Sequence, residues 1–180
     1  MAKNNTQVDK NSREYLLRQV ANGRYSLLLI VILTVVNLIM TILDTNTYFL
    51  FSASVPYYLV FVGMGIENGF VDGAWNVKGT LTYTGLVIAL VIVAVYLLCW
   101  LLSKKRAGWL TVALVLFIVD TVALVVITFA LYDSPVGKLV DFLLHIWAIV
   151  ELVLAVRGSR KLKELPPTEK PRDICTGPEL

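Results

Sequence analysis

One aspartate, Asp120, stands at the middle of an apolar run covering positions 109–132. A carboxylate at bilayer depth costs about 3 kcal/mol on insertion scales, so it faces a partner or a wet cavity. The next apolar run offers a partner in His145, the one histidine of the chain. His145 lies 12 residues above Arg157 and Asp120 lies 12 above Gly108, so each sits roughly 18 Å from the same end of its helix. Asn37, 13 residues above Arg24, comes to roughly 20 Å. Asp141 precedes His145 by four residues and shares its helix face. Glu151 falls on the same third of the helical wheel, nearer the inner end.

Carboxylates and an imidazole spaced through a membrane can bind and pass protons or a cation. On this reading Asp120, His145, Asn37, Asp141 and Glu151 are the candidates for an ion or proton path. The competing reading makes Asp120–His145 a hydrogen bond that ties two helices together, with Asn37 as interhelical glue. Glu151 then snorkels to the inner surface or pairs with Arg157 or Arg160.

Other chemistry finds little purchase. There is no H-E-x-x-H or paired-histidine motif for a metal, and no glycine-rich phosphate loop. No activated serine or carboxylate pair at one level announces intramembrane proteolysis. Cys99 and Cys175 form no C-x-x-C pair. The expectation is a protein that is not an enzyme, carries no cofactor or metal, and binds no nucleic acid.

The elements that must position these residues follow from composition. The chain has 180 residues, is 57% hydrophobic and has a mean hydropathy of +0.73, too apolar for a water-soluble domain. Its charges fall in blocks between four runs, at about 25–43, 81–102, 108–131 and 136–156. Each run approaches or exceeds the ~20 residues a helix needs to cross a bilayer. The fold expected is an all-α integral membrane protein, a bundle of four transmembrane helices. No cleavable signal peptide is evident, because the first apolar run is long enough to remain in the membrane.

Direction follows from the basic residues. Fourteen of the 16 Lys and Arg fall on one side of a four-span arrangement, with only Lys78 and Lys138 on the other. That bias puts both termini in the cytoplasm, in a multi-pass protein of a bacterial cell membrane. The segment 48–66 is also uncharged, but counting it as a span leaves 7 basic residues inside and 9 outside. Its Pro56, Gly63, Gly65 and many aromatic residues suit an interfacial or re-entrant outer segment between the first two spans.

Three regions result: a cytoplasmic amphipathic arm over 1–24, a transmembrane domain over 25–157 with its outer loop at 44–80, and a basic, Pro-rich tail over 158–180. Asn11 and Glu14 predict a capped short helix reaching Val20, and the tail from Pro166 predicts disorder. The basic inner edge should meet anionic headgroups of the lipid bilayer.

Two stretches, FSASVPYYLVFVGMG at 51–65 and HIWAIVELVLAVRGSRKLKELP at 145–166, resemble uncharacterised small four-span bacterial membrane proteins. The resemblance implies the same topology and no particular activity. Claudins and disulfide-forming quinone reductases are poor matches because their cysteines are missing. Small multidrug exporters carry an acid in the first span, where Asn37 stands here.

Two functions fit. One is a channel or transporter-like protein, a homo-oligomer because four helices leave little room for a wide path. The other is a non-transporting scaffold, sensor or accessory subunit. Topology is testable directly: a cysteine at Asn76 should react with an impermeant thiol reagent on intact cells, and one at Ser103 should not. The reverse pattern would remove the four-span arrangement.

Overall fold

Long uncharged runs can satisfy their backbone groups in hydrocarbon only by bonding within themselves, and they fold accordingly as helices. The computed structural model describes residues 13–43, 45, 48–69, 76–131 and 139–165. Five helices and no strand are found among them: α1 (Arg13–Ile42), α2 (Ser54–Asn68), α3 (Gly79–Ser103), α4 (Gly108–Leu131) and α5 (Leu139–Glu164). Of these, α1, α3, α4 and α5 are long and apolar enough to cross a membrane.

Exposure agrees with hydropathy. Within the most apolar stretch of each long helix only 28–33% of residues are buried. Side chains such as Val87, Val91, Val119, Val122 and Phe129 point outward. A surface of that kind would aggregate in water, so lipid is its solvent. The chain is a polytopic membrane protein built on a four-helix bundle.

Two helices run further than their apolar cores. The helix expected to stop at Val20 continues without a break into the first span, making α1 30 residues long. At the other end α5 runs through Glu164, so the start of the expected tail is helical. Asn11, Cys175 and the tail from Pro166 lie outside the described residues. The two extensions pack on each other, with Gly23 against Ala155, and Gly158 against the Leu16 carbonyl and Gln19.

The short helix α2 lies inside this frame, packed mainly on α3. Two glycines set that contact: Gly63 lies against the backbone of Leu81 and Thr82, and Gly85 against the Leu59 carbonyl. These pairings make α2 and α3 antiparallel, with the N-terminus of α2 near the middle of α3. Leu27, Ile30, Met64, Phe117 and Leu152 fill the core between the helices.

A methyl at Gly85 would stand 2.5 Å from the Leu59 carbonyl oxygen, a backbone atom that cannot swing away. Gly85→Ala should therefore push α2 from α3 and cost about 1–3 kcal/mol. At Gly108 a methyl meets nothing within 4 Å. Gly108→Ala should be neutral or stabilise by up to about 1 kcal/mol. Thermal unfolding of the purified protein in one detergent compares the two.

Candidate functional site

The site is built around a backbone problem. Helix α2 starts level with Asp120, half-way along α4, and its own N-cap residue, Ala53, has no side-chain oxygen to offer. The free N–H groups of its first turn must find acceptors elsewhere or remain unpaired at a cost of about 1–3 kcal/mol each. Asp120 of α4 supplies them. Its Oδ2 accepts from the Ser54 N–H at 2.8 Å and its Oδ1 from the Val55 N–H at 2.9 Å. The third residue, Pro56, has no N–H to satisfy. The Ala53 N–H donates to Thr34 Oγ1 of α1 at 2.8 Å, which completes the set.

The chain reaches this point through a segment with no regular structure, held from α1. The Asn37 amide clasps the backbone of Phe49, accepting from its N–H and donating to its carbonyl, both at 2.7 Å. Asn37 Nδ2 also donates to Ser52 Oγ at 2.7 Å. Phe49 is thus tied to Asn37 and Ala53 to Thr34, so the segment descends antiparallel to α1. Phe51 takes a left-handed backbone conformation at φ 67°, the only described non-glycine to do so, and marks the bend before α2. Its ring is buried against Trp147, with centroids 5.1 Å apart.

His145 sits beneath the start of α2, stacked face to face on Phe117 with centroids 5.0 Å apart. Its Nδ1 lies 2.9 Å from the main-chain carbonyl of Asp141, an acceptor only, so Nδ1 carries a proton. Nε2 then faces Ser54 Oγ at 3.4 Å and Asp120 Oδ2 at 3.5 Å. A neutral ring can accept from the Ser54 hydroxyl, and a charged ring can donate to Asp120. Asp141 Oδ1 is 3.5 Å from Nδ1, while its Oδ2 accepts from the Tyr48 hydroxyl at 3.3 Å. One imidazole therefore stands between two carboxylates.

The sequence-predicted residues divide. Asp120, His145 and Asp141 form one cluster, and Asn37 joins it through Ser52 and the chain leading to Ser54. Glu151 does not: it is half-buried in a cleft with Asn22, Ser26 and Trp147, between α1 and α5. Neither Arg157 nor Arg160 pairs with it among the described residues. Thr34, Ser52 and Ser54 were missed by sequence reasoning. Their signal was faint: a helix starting in S-A-S-V-P lacks a good cap of its own, so an acceptor must come from elsewhere.

Ser54, His145 and Asp141 stand in the order of nucleophile, base and orienting acid. All three are fully buried, and Asp120 already occupies the N–H groups that would hold an oxyanion. This conformation leaves no position for a substrate carbonyl. Among the described residues no three His, Cys, Asp or Glu side chains converge to hold a metal ion. Comparison with protein-family models, curated proteins and solved structures yields no match.

Asp120 should then act as a cap more than as a charge. Asp120→Asn keeps one acceptor for the two N–H groups, whereas Asp120→Leu keeps none. With each bond to a charged acceptor worth about 1.5–3 kcal/mol, Asp120→Leu should lose about 3 kcal/mol or more and Asp120→Asn roughly half of that. Ser54→Ala, which removes the 3.4 Å contact to Nε2 and a side-chain contact to Tyr48 but no bond to Asp120, should cost less than Asp120→Leu, about 1 kcal/mol. Denaturation in mixed micelles orders the three variants.

Proposed function

We propose that this protein is a multi-pass bacterial cell-membrane module, with both termini cytoplasmic, that does not itself conduct ions. Its α2 is a re-entrant half-helix, lowered to mid-membrane by the segment before it and returning to the outer side. The role is that of a scaffold, sensor or accessory subunit, with α2 held inside the bundle as part of its frame.

The observation that carries this reading is where the polar groups spend their hydrogen bonds. Asn37, Asp120, Asp141 and His145 are 0–3% exposed; Asn37, Asp120 and Asp141 bond to the start of α2 and the chain leading to it, and His145 bonds to the Asp141 carbonyl and faces Ser54. Three cavities among the described residues are lined by other side chains, with Glu151 in one of them. A path for ions needs polar groups facing water, and these face backbone groups and one another. Their work is to make irregular backbone tolerable at membrane depth.

A second reading draws on one specific arrangement, the imidazole between Asp120 and Asp141. If α2 swings out, that cluster becomes a proton- or cation-binding group at mid-membrane, between copies in an oligomer.

Flux in sealed liposomes separates the two. The module reading expects no protein-dependent movement of protons, Na⁺, K⁺ or divalent cations from about pH 5 to pH 8, the range in which an ordinary histidine titrates. Flux that disappears in both Asp120→Asn and His145→Gln, with folding retained, would establish the second reading instead.

A further inference from the structure

At the inner end of the bundle, α1 passes the C-terminus of α3, and a cleft of about 340 Å³ opens between them. Ala21, Arg24, Tyr25, Trp100, Leu101 and Lys104 line it. Arg24 is half-buried there. Its Nε donates to Ser103 Oγ at 3.1 Å and its guanidinium lies 6.0 Å from the centre of the Trp100 ring. These two contacts hold the guanidinium at the cleft. They use one of its five N–H groups, and neither terminal nitrogen has a hydrogen-bond partner among the described residues.

Charge is also left over. No carboxylate pairs with Arg24 or Lys104 among the described residues, and Lys105 and Arg106 follow in the same turn. The negative pole of α3, which would repel an anion, is covered. The Leu101 and Leu102 carbonyls accept from the backbone N–H groups of Lys104, Lys105 and Arg106. Glu151 lines a separate cleft, which shares only Tyr25 with this one.

We propose that this cleft is a binding site for the phosphate of an anionic glycerophospholipid. The inference rests on the membrane reading of the chain and is independent of whether it conducts. Arg24 offers its two terminal nitrogens to the phosphate oxygens, the fork geometry that favours arginine for this group. Lys104 adds a second positive charge across the cleft. Trp100 and Tyr25 stand at the level where headgroups meet acyl chains, the position such rings favour. A lipid suits the site better than a free anion because an outward-facing apolar side chain, Leu101, lines the cleft and Leu98 follows it one turn along the same face of α3, so that an acyl chain can lie there. Basic pockets between transmembrane helices hold anionic headgroups in the same way.

The test uses the full chain in detergent, titrated with phosphatidylglycerol or phosphatidylcholine and read by native mass spectrometry. Wild-type protein should retain phosphatidylglycerol in preference to phosphatidylcholine. Arg24→Gln and Lys104→Gln should each weaken phosphatidylglycerol retention by about tenfold or more. Lys105→Gln, an exposed charge on the same turn that does not line the cleft, should change it by no more than about fivefold. Arg24→Lys keeps the charge and loses the fork, so it should fall between wild type and Arg24→Gln. If Arg24→Gln does not fold, Lys104→Gln and Arg24→Lys carry the same comparison.

Equal retention of the two lipids, or equal losses for Lys104→Gln and Lys105→Gln, would overturn the site and leave only diffuse surface charge. Inorganic phosphate at millimolar concentration should not displace the lipid. Complete displacement by it would overturn the lipid as the occupant.

Discussion

A backbone N–H in hydrocarbon has no water to fall back on, and the whole arrangement of the bundle answers to that fact. Helix α2 begins half-way along its neighbours with an alanine where a capping residue belongs. Asp120 repairs the defect from another helix by giving each carboxylate oxygen to one N–H group. The same interaction meets the cost of the carboxylate itself. An aspartate buried away from water needs donors, and the positive end of a helix is a strong set of them. Two features that would each be expensive alone are stable together.

The rest of the interior is organised around holding that contact in place. Thr34 and Asn37 on α1 bind the chain that leads to α2. Gly63 and Gly85 let α2 approach α3 until their backbones touch. His145 and Phe117 fill the space under the first turn, with His145 in reach of both Ser54 and Asp120. Helices α1 and α5 are zipped through Gly23 and Gly158, and so set the distance between Thr34 and His145. Few of these residues are charged, but seven of the thirteen buried polar residues among those described, Thr34, Asn37, Ser52, Ser54, Asp120, Asp141 and His145, serve this one segment.

Burial also decides what the polar groups are fit for. In water Asp120, His145 and Asp141 would read as acid–base machinery. Here they are buried and packed under the first turn of α2, where Asp120 caps the helix and His145 is held by the Asp141 carbonyl. The cleft beside Arg24 is the opposite case: a charged group at the end of the bundle, in contact with Ser103 and Trp100, with donors to spare. The first cluster holds the fold together, and the second faces outward.

What the chain determined by itself is everything that depends on counting along one helix. The length of the uncharged runs set the four spans, and the 1.5 Å rise placed Asp120 and His145 at one depth. Periodicity put Asp141 on the face of His145. These follow from local geometry that no neighbour can alter. Only the tertiary structure could separate Glu151 from that face, because the sector that faces the interior depends on where α1 crosses α5. Only it could show Asp120 capping α2, since the capped N–H groups are 65 and 66 positions away in sequence. A carboxylate announces that it needs donors; which donors it meets is set by the packing of three helices, and no periodicity in one of them encodes that.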